Sequence, residues 1–473
     1  MRLGRITVLA VLAVGFAACT KDNSNYCGNA ADAGFNCLAA DAAAHAEHPA
    51  PDGRDGGDAR SDAADASDAS DGKTPICMTD DNCAGADAGT PACEIKGDAG
   101  ARCVECTKNA HCSGDKPVCD TKTDTCVACT GEAANNALEC KTGTSNVCNT
   151  ATMSCVECVE NKTCGSAKPV CDKGTNVCRT CRADSECAGI GPGICVDFDG
   201  HCASAGEIVT LQGGASCTAA GKLFCTGSDA VNALDADHPI LLVQGPDPVS
   251  TIVPPAGAPP NVLIVGRGAA TVAAGAGDIA GIRLSGAHKF WVRDLKVSGG
   301  TVGVVADSGA DLHVTRCVVA MNGKGGIKTA NASFDITNTV IAANNAGTDT
   351  GGVVWGGVRL GDIPTAGTSH FENNTVVDNL ATGISCVNTY GIAGSIVHDN
   401  TSANIAGCAT TTPCCGATDP DPGLNASYHL MSGSPCIDKI TATTMSLAVD
   451  IDGQSRPSPP GLLDCGADEF VAQ

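Results

Sequence analysis

The chain has 473 residues, 52 acidic against 29 basic side chains for a formal net charge of -23, 32 cysteines, 58 glycines and 13 aromatic residues. So few Lys and Arg exclude the clustered cations that a nucleic-acid partner requires, and so few aromatic side chains exclude one large conventional core. The length suits about three domains, and the composition favours thin, repetitive or cross-linked ones. No motif implies a cofactor.

Residues 1–18 read as a secretory signal, with Arg2 and Arg5 ahead of the apolar run Ile6 to Phe16, which is too short to span a bilayer stably. The run ends in Ala17-Ala18-Cys19, small residues before a cysteine that resemble a bacterial lipobox. That resemblance implies cleavage before Cys19, acylation of Cys19 and a membrane partner reached through the lipid. Thr20 in place of Asp implies sorting to the outer membrane, on its periplasmic or extracellular face. Export permits disulfides. The 31 cysteines other than Cys19 are an odd number, so one stays free or pairs between molecules.

Residues 19–76 are expected to be an anchor and linker, with a local Cys27–Cys37 pair. From 38 to 76 the text is almost wholly Ala, Asp, Gly, Ser and Pro, with nine acids, three bases and no aromatic residue. Such a stretch buries too little apolar surface to offset its ordering entropy and reads as a self-repelling tether.

Residues 77–204 hold 20 cysteines in five groups of four, and each junction between groups is Cys-x2-Cys. The second and fourth groups nearly repeat each other, as in Lys116-Pro117-Val118-Cys119-Asp120 and Lys168-Pro169-Val170-Cys171-Asp172. This is one small unit copied in tandem. Without aromatic mass the unit needs staples. Two disulfides per unit have three possible connectivities, and the spacing leaves all three open. A four-thiolate zinc site and a redox Cys-x2-Cys are the competing readings; an exported chain and strand-poor, loop-like text favour structural disulfides. The array resembles tandem cysteine-rich repeats of secreted proteins from myxobacterial-type predatory bacteria, a resemblance that implies no activity.

From 205 to 473 short Val, Ile and Leu runs alternate with Gly, Asn and Asp turns, which is strand text, apart from a short helix near Asp229 to Leu234. Thr315 to Asn322 aligns with Thr337 to Asn344, 22 residues later, and again with Asn373 to Asn379 and Ala393 to Asn400. A strand-turn unit of this period suits a parallel β-helix. Val318, Val340, Val376 and Ile396 are expected to stack inside, and Asn322, Asn344 and Asn400 to form a ladder at a tight turn where Asn tolerates left-handed geometry. The longer interval between the second and third copies predicts an inserted loop, 347 to 368, that carries Trp355 and projects outward. A β-sandwich is the alternative, but hairpins would not hold a 22-residue register.

Ser434-Pro435-Cys436-Ile437-Asp438, Asp450-Ile451-Asp452-Gly453 and Asp464-Cys465-Gly466-Ala467-Asp468-Glu469 are similar to the closing segment of bacterial surface proteins with pectate-lyase-like right-handed parallel β-helices. The resemblance implies that fold for residues 205–473 and suggests a Cys436–Cys465 bond in the cap. Cys217 with Cys225 would staple the other end, and Cys386, Cys408, Cys414 and Cys415 would supply two bridges. Cys317, on an apolar strand, is left as the candidate free thiol.

The fold class is therefore mostly β: stapled cysteine-rich repeats, then a solenoid. Such solenoids often carry polysaccharide lyases and glycosidases, yet function has to be read from residues. The polygalacturonase set is missing. The nearest approach to a lyase base and acids is Arg293, Asp294 and Lys296 on what reads as an exposed strand, and Asp294 and Asp307 are the weak catalytic candidates. Asp311 and Glu372 are further acids, and His288, His313, His370 and His398 show no metal-ligand spacing. The expected function is a non-catalytic surface lipoprotein that presents the solenoid to polysaccharide or a cell-surface glycan. A carbohydrate-active enzyme and a structural envelope component are the alternatives.

Overall fold

A computed structural model describes residues 80, 83, 92–95, 101–132, 139–140, 145–275, 277–365, 367–412, 420–441, 449–456 and 462–471. The signal, Cys19, the linker, the Cys27–Cys37 pair, Cys414 and Cys415 lie outside these residues.

The array is built from two-stranded hairpins, Val118–Asp120 with Thr125–Val127, Val147–Asn149 with Ser154–Val156, and Val170–Asp172 with Val177–Arg179. In each, the third and fourth cysteines of a group face each other across the hairpin, as Cys119 faces Cys126. They bond back to the first and second, giving Cys106–Cys119 with Cys112–Cys126 and Cys158–Cys171 with Cys164–Cys178. The third and fifth groups connect in the same order, and Cys83–Cys103 is the matching second bond of the first. Sulfur atoms tied up in disulfides leave no thiolates for zinc. A polar strut follows the first cysteine of the second, fourth and fifth groups: Asn109, Asn161 and Asp184 accept the backbone N–H of Cys119, Cys171 and Cys195 at 2.9, 2.9 and 2.8 Å.

Residues 208–412 wind into a right-handed parallel β-helix whose coils contribute to one ten-stranded sheet and two six-stranded sheets. The bore is filled by aligned columns such as Leu241, Ile264, Val292, Val314, Ile336 and Phe371 on the ten-stranded sheet. A short helix, Gly227–Asn232, N-capped by Thr226, places Ala230 and Val231 in that core. Cys217–Cys225 and Cys386–Cys408 are bonded, and Cys317 is a free thiol sealed in the core, where burial pushes it up to about 12.

Three details differ from the sequence reading. First, strand pairing puts Val319, Ile341, Val376 and Val397 in the inner column, whereas Val318, Val340 and Ile396 point outward. They are nevertheless covered, because the C-terminal segment packs Leu430, Cys436, Ile440, Leu463 and Cys465 on this outer face. A repeat of three apolar residues in a row does not say which of them faces in when both faces are covered.

Second, the ladder is Asn322, Asn344, Asn379 and Asn400, linked by amide hydrogen bonds of 2.9, 3.0 and 2.9 Å. The left-handed residue is the one before each Asn: Met321, Ala343, Asp378 and Asp399. The asparagines are needed for their buried amides and not for their backbone tolerance.

Third, Trp355 does not project. The hairpin Gly347–Thr348 with Val354–Trp355 folds back and buries the indole, 2% exposed, against Ala280, Val302 and Val305. Gly325, at φ +133°, makes room; a Cβ there would sit 2.2 Å from the ring.

In the C-terminal segment Cys436 and Cys465 are both buried and disulfide-bonded. The backbone brings them side by side, with the Cys465 N–H donating to the Cys436 carbonyl at 3.0 Å.

Candidate functional site

The outward side chains of the ten-stranded sheet define the candidate site. One column runs, by strand register, Ile208, Ile240, Leu263, Trp291, His313, Asp335 and His370. Its first half is apolar because it is covered: Ile194, Val196 and Ala203 of the fifth cysteine-rich repeat pack on Ile208, Ile240 and Leu263. Its second half is polar and open. The change falls at Trp291, whose ring lies 5.5 Å from Phe198 of that repeat and stacks on His313 at 4.9 Å and 6°.

The neighbouring column, Leu242, Val265 and then Arg293, ends the covered patch with a charge. Arg293 is 2% exposed and donates to Asp184 at 2.8 and 3.0 Å, to Asp197 at 2.7 Å, to the Cys195 carbonyl at 2.9 Å and to Asp294. Burial works against its charge, but the Asp197 and Asp184 carboxylates outweigh that and hold the guanidinium ionised far above its usual range. The polar strut of the last repeat, Asp184, thus doubles as the receptor that docks the array on the solenoid.

These contacts place the catalytic candidates. Residues 293–296 are not one exposed strand: Asp294, at φ +59°, is a corner between Lys289–Arg293 and Lys296–Ser298, and Arg316, Asn338 and Asn373 take the same left-handed corner on later coils. Asp294 is held by Arg316 at 2.7 and 2.8 Å as well as by Arg293, and although burial would raise its carboxyl these arginines keep it low. Asp307 ends a strand of a different sheet and pairs with Arg283 at 3.1 Å. The two acids sit at different corners, each neutralised by arginine. Lys296 is exposed on another strand. His288 has its ring nitrogens 3.1 and 3.2 Å from the Pro259 and Ala256 carbonyls, turned to the backbone, and His398 lies beside Asp399.

Four other residues named from sequence do converge. His370 contacts Asp335 through Nδ1 at 2.9 Å and Glu372 through Nε2 at 2.8 Å; His313 lies 3.5 Å from both Asp335 and Asp311. Hydrogen bonds to Asp335 and Glu372 lift His370 to about 10. Burial disfavours the charge on His313, yet Asp311 and Asp335 raise it to about 9. Burial alone would raise Asp335 too, but the two imidazoliums hold it well below the usual carboxylate range. At neutral pH the row is therefore imidazolium, carboxylate, imidazolium, with Glu372 and Asp311 alongside. It offers charged donors and acceptors at the rung spacing of about 4.8 Å, flanked by aromatic faces.

Sequence reasoning missed Trp291, Phe198 and Asp335 as parts of one site. Trp291 and Asp335 stand 22 residues to either side of His313, so the period carried that signal. Phe198, 93 residues from Trp291, left none.

A family model described as a right handed beta helix region matches residues 280–416. It spans the open half of the polar row and the asparagine ladder, and stops short of the covered first coils and the array. No curated protein and no solved structure matches the chain.

Proposed function

We propose that this protein is a non-catalytic, lipid-anchored outer-membrane protein that presents the open face of its β-helix to polysaccharide or a cell-surface glycan. The observation that carries this reading is the row Trp291, His313, Asp335 and His370 with Glu372, half-buried with His370 exposed, where the cover of the fifth repeat ends. Glycan recognition uses flat apolar surface beside in-plane charged hydrogen-bonding groups, which strengthen contacts to hydroxyls and carboxylates. The same pairing argues against cleavage, because a glycosidase keeps one carboxyl protonated beside an ionised one, whereas histidine holds the Asp335 and Asp311 carboxyls below their usual range.

An enzyme reading has a foothold among the coils of the solenoid. The Asp378 carboxyl is raised, first by burial and then by Asp399 on the next coil. A purely structural envelope role is the remaining alternative.

The test is retention of full-length protein on a panel of cell-wall and extracellular polysaccharides, compared with His370→Ala and Glu372→Gln. Retention of the wild type with roughly tenfold weaker binding by each variant supports the proposal. Release of reducing or unsaturated sugar, abolished by Asp378→Asn, moves the protein to the enzyme class. Absence of retention on any glycan leaves the structural role. The anchor is tested separately: Cys19→Ala should shift the protein from the membrane to the soluble fraction.

A further inference from the structure

We propose that His429, Asp452 and Asp468 form a site for a borderline divalent cation of the zinc type, one that pins the C-terminal segment together. The inference is independent of the glycan reading. The three side chains come from separate stretches, 420–441, 449–456 and 462–471. They line one cavity of about 780 Å³. Their ligand atoms all lie within 4.8 Å of one another, and among the described residues no other group of three, apart from cysteines already in disulfides, meets that distance.

The second observation comes from hydrogen-bond accounting. This segment buries four carboxylates, Asp450, Asp464, Asp468 and Glu469, each 5% exposed or less, around a single buried guanidinium, Arg456. Asp450 uses one oxygen for the amides of Asp452 and Gln454 and the other for that of Glu469. Asp464 gives one oxygen to Asp438 N–H and one to Phe470 N–H. Glu469 accepts the Asp464 N–H and faces Arg456.

These three are turn braces. Asp468 differs: Oδ2 accepts the Leu430 N–H at 2.7 Å, Oδ1 accepts no hydrogen bond from the described residues, and the side chain lines the cavity. A carboxylate with one oxygen braced and its side chain on the cavity wall, beside an imidazole and a second carboxylate, presents a set of one nitrogen and two oxygen ligand atoms.

The donor types choose the ion. One imidazole nitrogen and two carboxylate oxygens suit zinc and its neighbours, whereas calcium and magnesium prefer oxygen alone. Tetrahedral zinc wants its ligand atoms about 3.3 Å apart. His429 Nε2 and Asp452 Oδ2 are already 3.0 Å apart, and the Asp452 side chain, 45% exposed, is free to turn inward. Three protein ligands leave the fourth position to water.

The experiment titrates the full chain with ZnCl2 by calorimetry and with CoCl2 by visible absorption. His429→Ala and Asp452→Asn are the variants, because both side chains are partly exposed and neither braces a turn; far-UV circular dichroism checks their fold. The expected result is one tight equivalent of zinc, visible cobalt bands of a nitrogen and oxygen site, and affinity weaker by roughly 10- to 100-fold in each variant. Unchanged uptake in both variants, no uptake by the wild type, or uptake of calcium in preference to zinc would overturn the proposal.

Discussion

The cysteine array and the β-helix solve the same problem, repetition without a conventional core, by opposite means. In the array each unit closes on itself: its two disulfides cross a hairpin, and its polar strut bonds within the unit. In the solenoid each coil closes on its neighbour through parallel strand pairs and the asparagine ladder. The array is therefore covalent and additive, whereas the solenoid is cooperative along its length. Where they meet, the buried Arg293, Arg267 donating to the Pro192 carbonyl, and a patch of apolar contacts join the two regimes.

Reduction should separate the regimes most sharply. Each short-loop disulfide contributes about 2–4 kcal/mol to units with little else, so a strong reductant should unfold the array. The solenoid's β signal in circular dichroism should persist, and exposure of Ile208, Ile240 and Leu263 should appear as dye binding. Loss of both signals together would mean that the solenoid depends on its cover.

Arg293→Ala comes next. It leaves Asp184 and Asp197 without their buried partner and Asp294 with Arg316 alone, at a cost of about 3–5 kcal/mol. Limited proteolysis should then cut within the fifth repeat while the later coils stay resistant.

Removing one polar brace from each region tests cooperativity. Asn344→Ala strips hydrogen-bond partners from both Asn322 and Asn379, and about 2–3 kcal/mol should be lost in chemical denaturation. Asn109→Ala should cost about 1 kcal/mol, because the two disulfides of that repeat remain. Equal effects would contradict the comparison.

The smallest effect is pH. His370 and His313 are raised in the folded chain, so their contribution is fully present below the unfolded imidazole value of about 6.5 and is lost as pH rises through about 9 and 10. Asp335 is lowered, so its contribution is present above about 3.8 and lost in more acid solution. Melting temperature should accordingly be highest near pH 5–6 and fall on the order of 1–3 °C by pH 10. His313→Gln with His370→Gln should flatten that fall.

What could be read beforehand follows the same division. The five groups of cysteines were legible because disulfide units are written locally, yet their connectivity was not, since the spacing permits three patterns and the hairpin that pairs Cys119 with Cys126 selects one. The 22-residue register revealed the solenoid and two members of the polar row, His313 and His370. It hid which of Val318 and Val319 faces inward, because the outer side is covered as well. The docking of Arg293 on Asp184 spans 109 residues and has no local signature.

The C-terminal segment has a kinetic consequence. Arg456 reaches back to Asn338 across 118 residues, Ala467 N–H to Thr375 across 92, and Gly466 N–H to the Gly394 carbonyl. This downstream segment therefore completes a face laid down by coils much earlier in the chain. Closing such distant contacts is slow, and until it happens Val318, Val340 and Ile396 form an open apolar stripe. A chain truncated before residue 420 would keep that stripe open, so the segment that covers it also guards earlier coils against association with other chains.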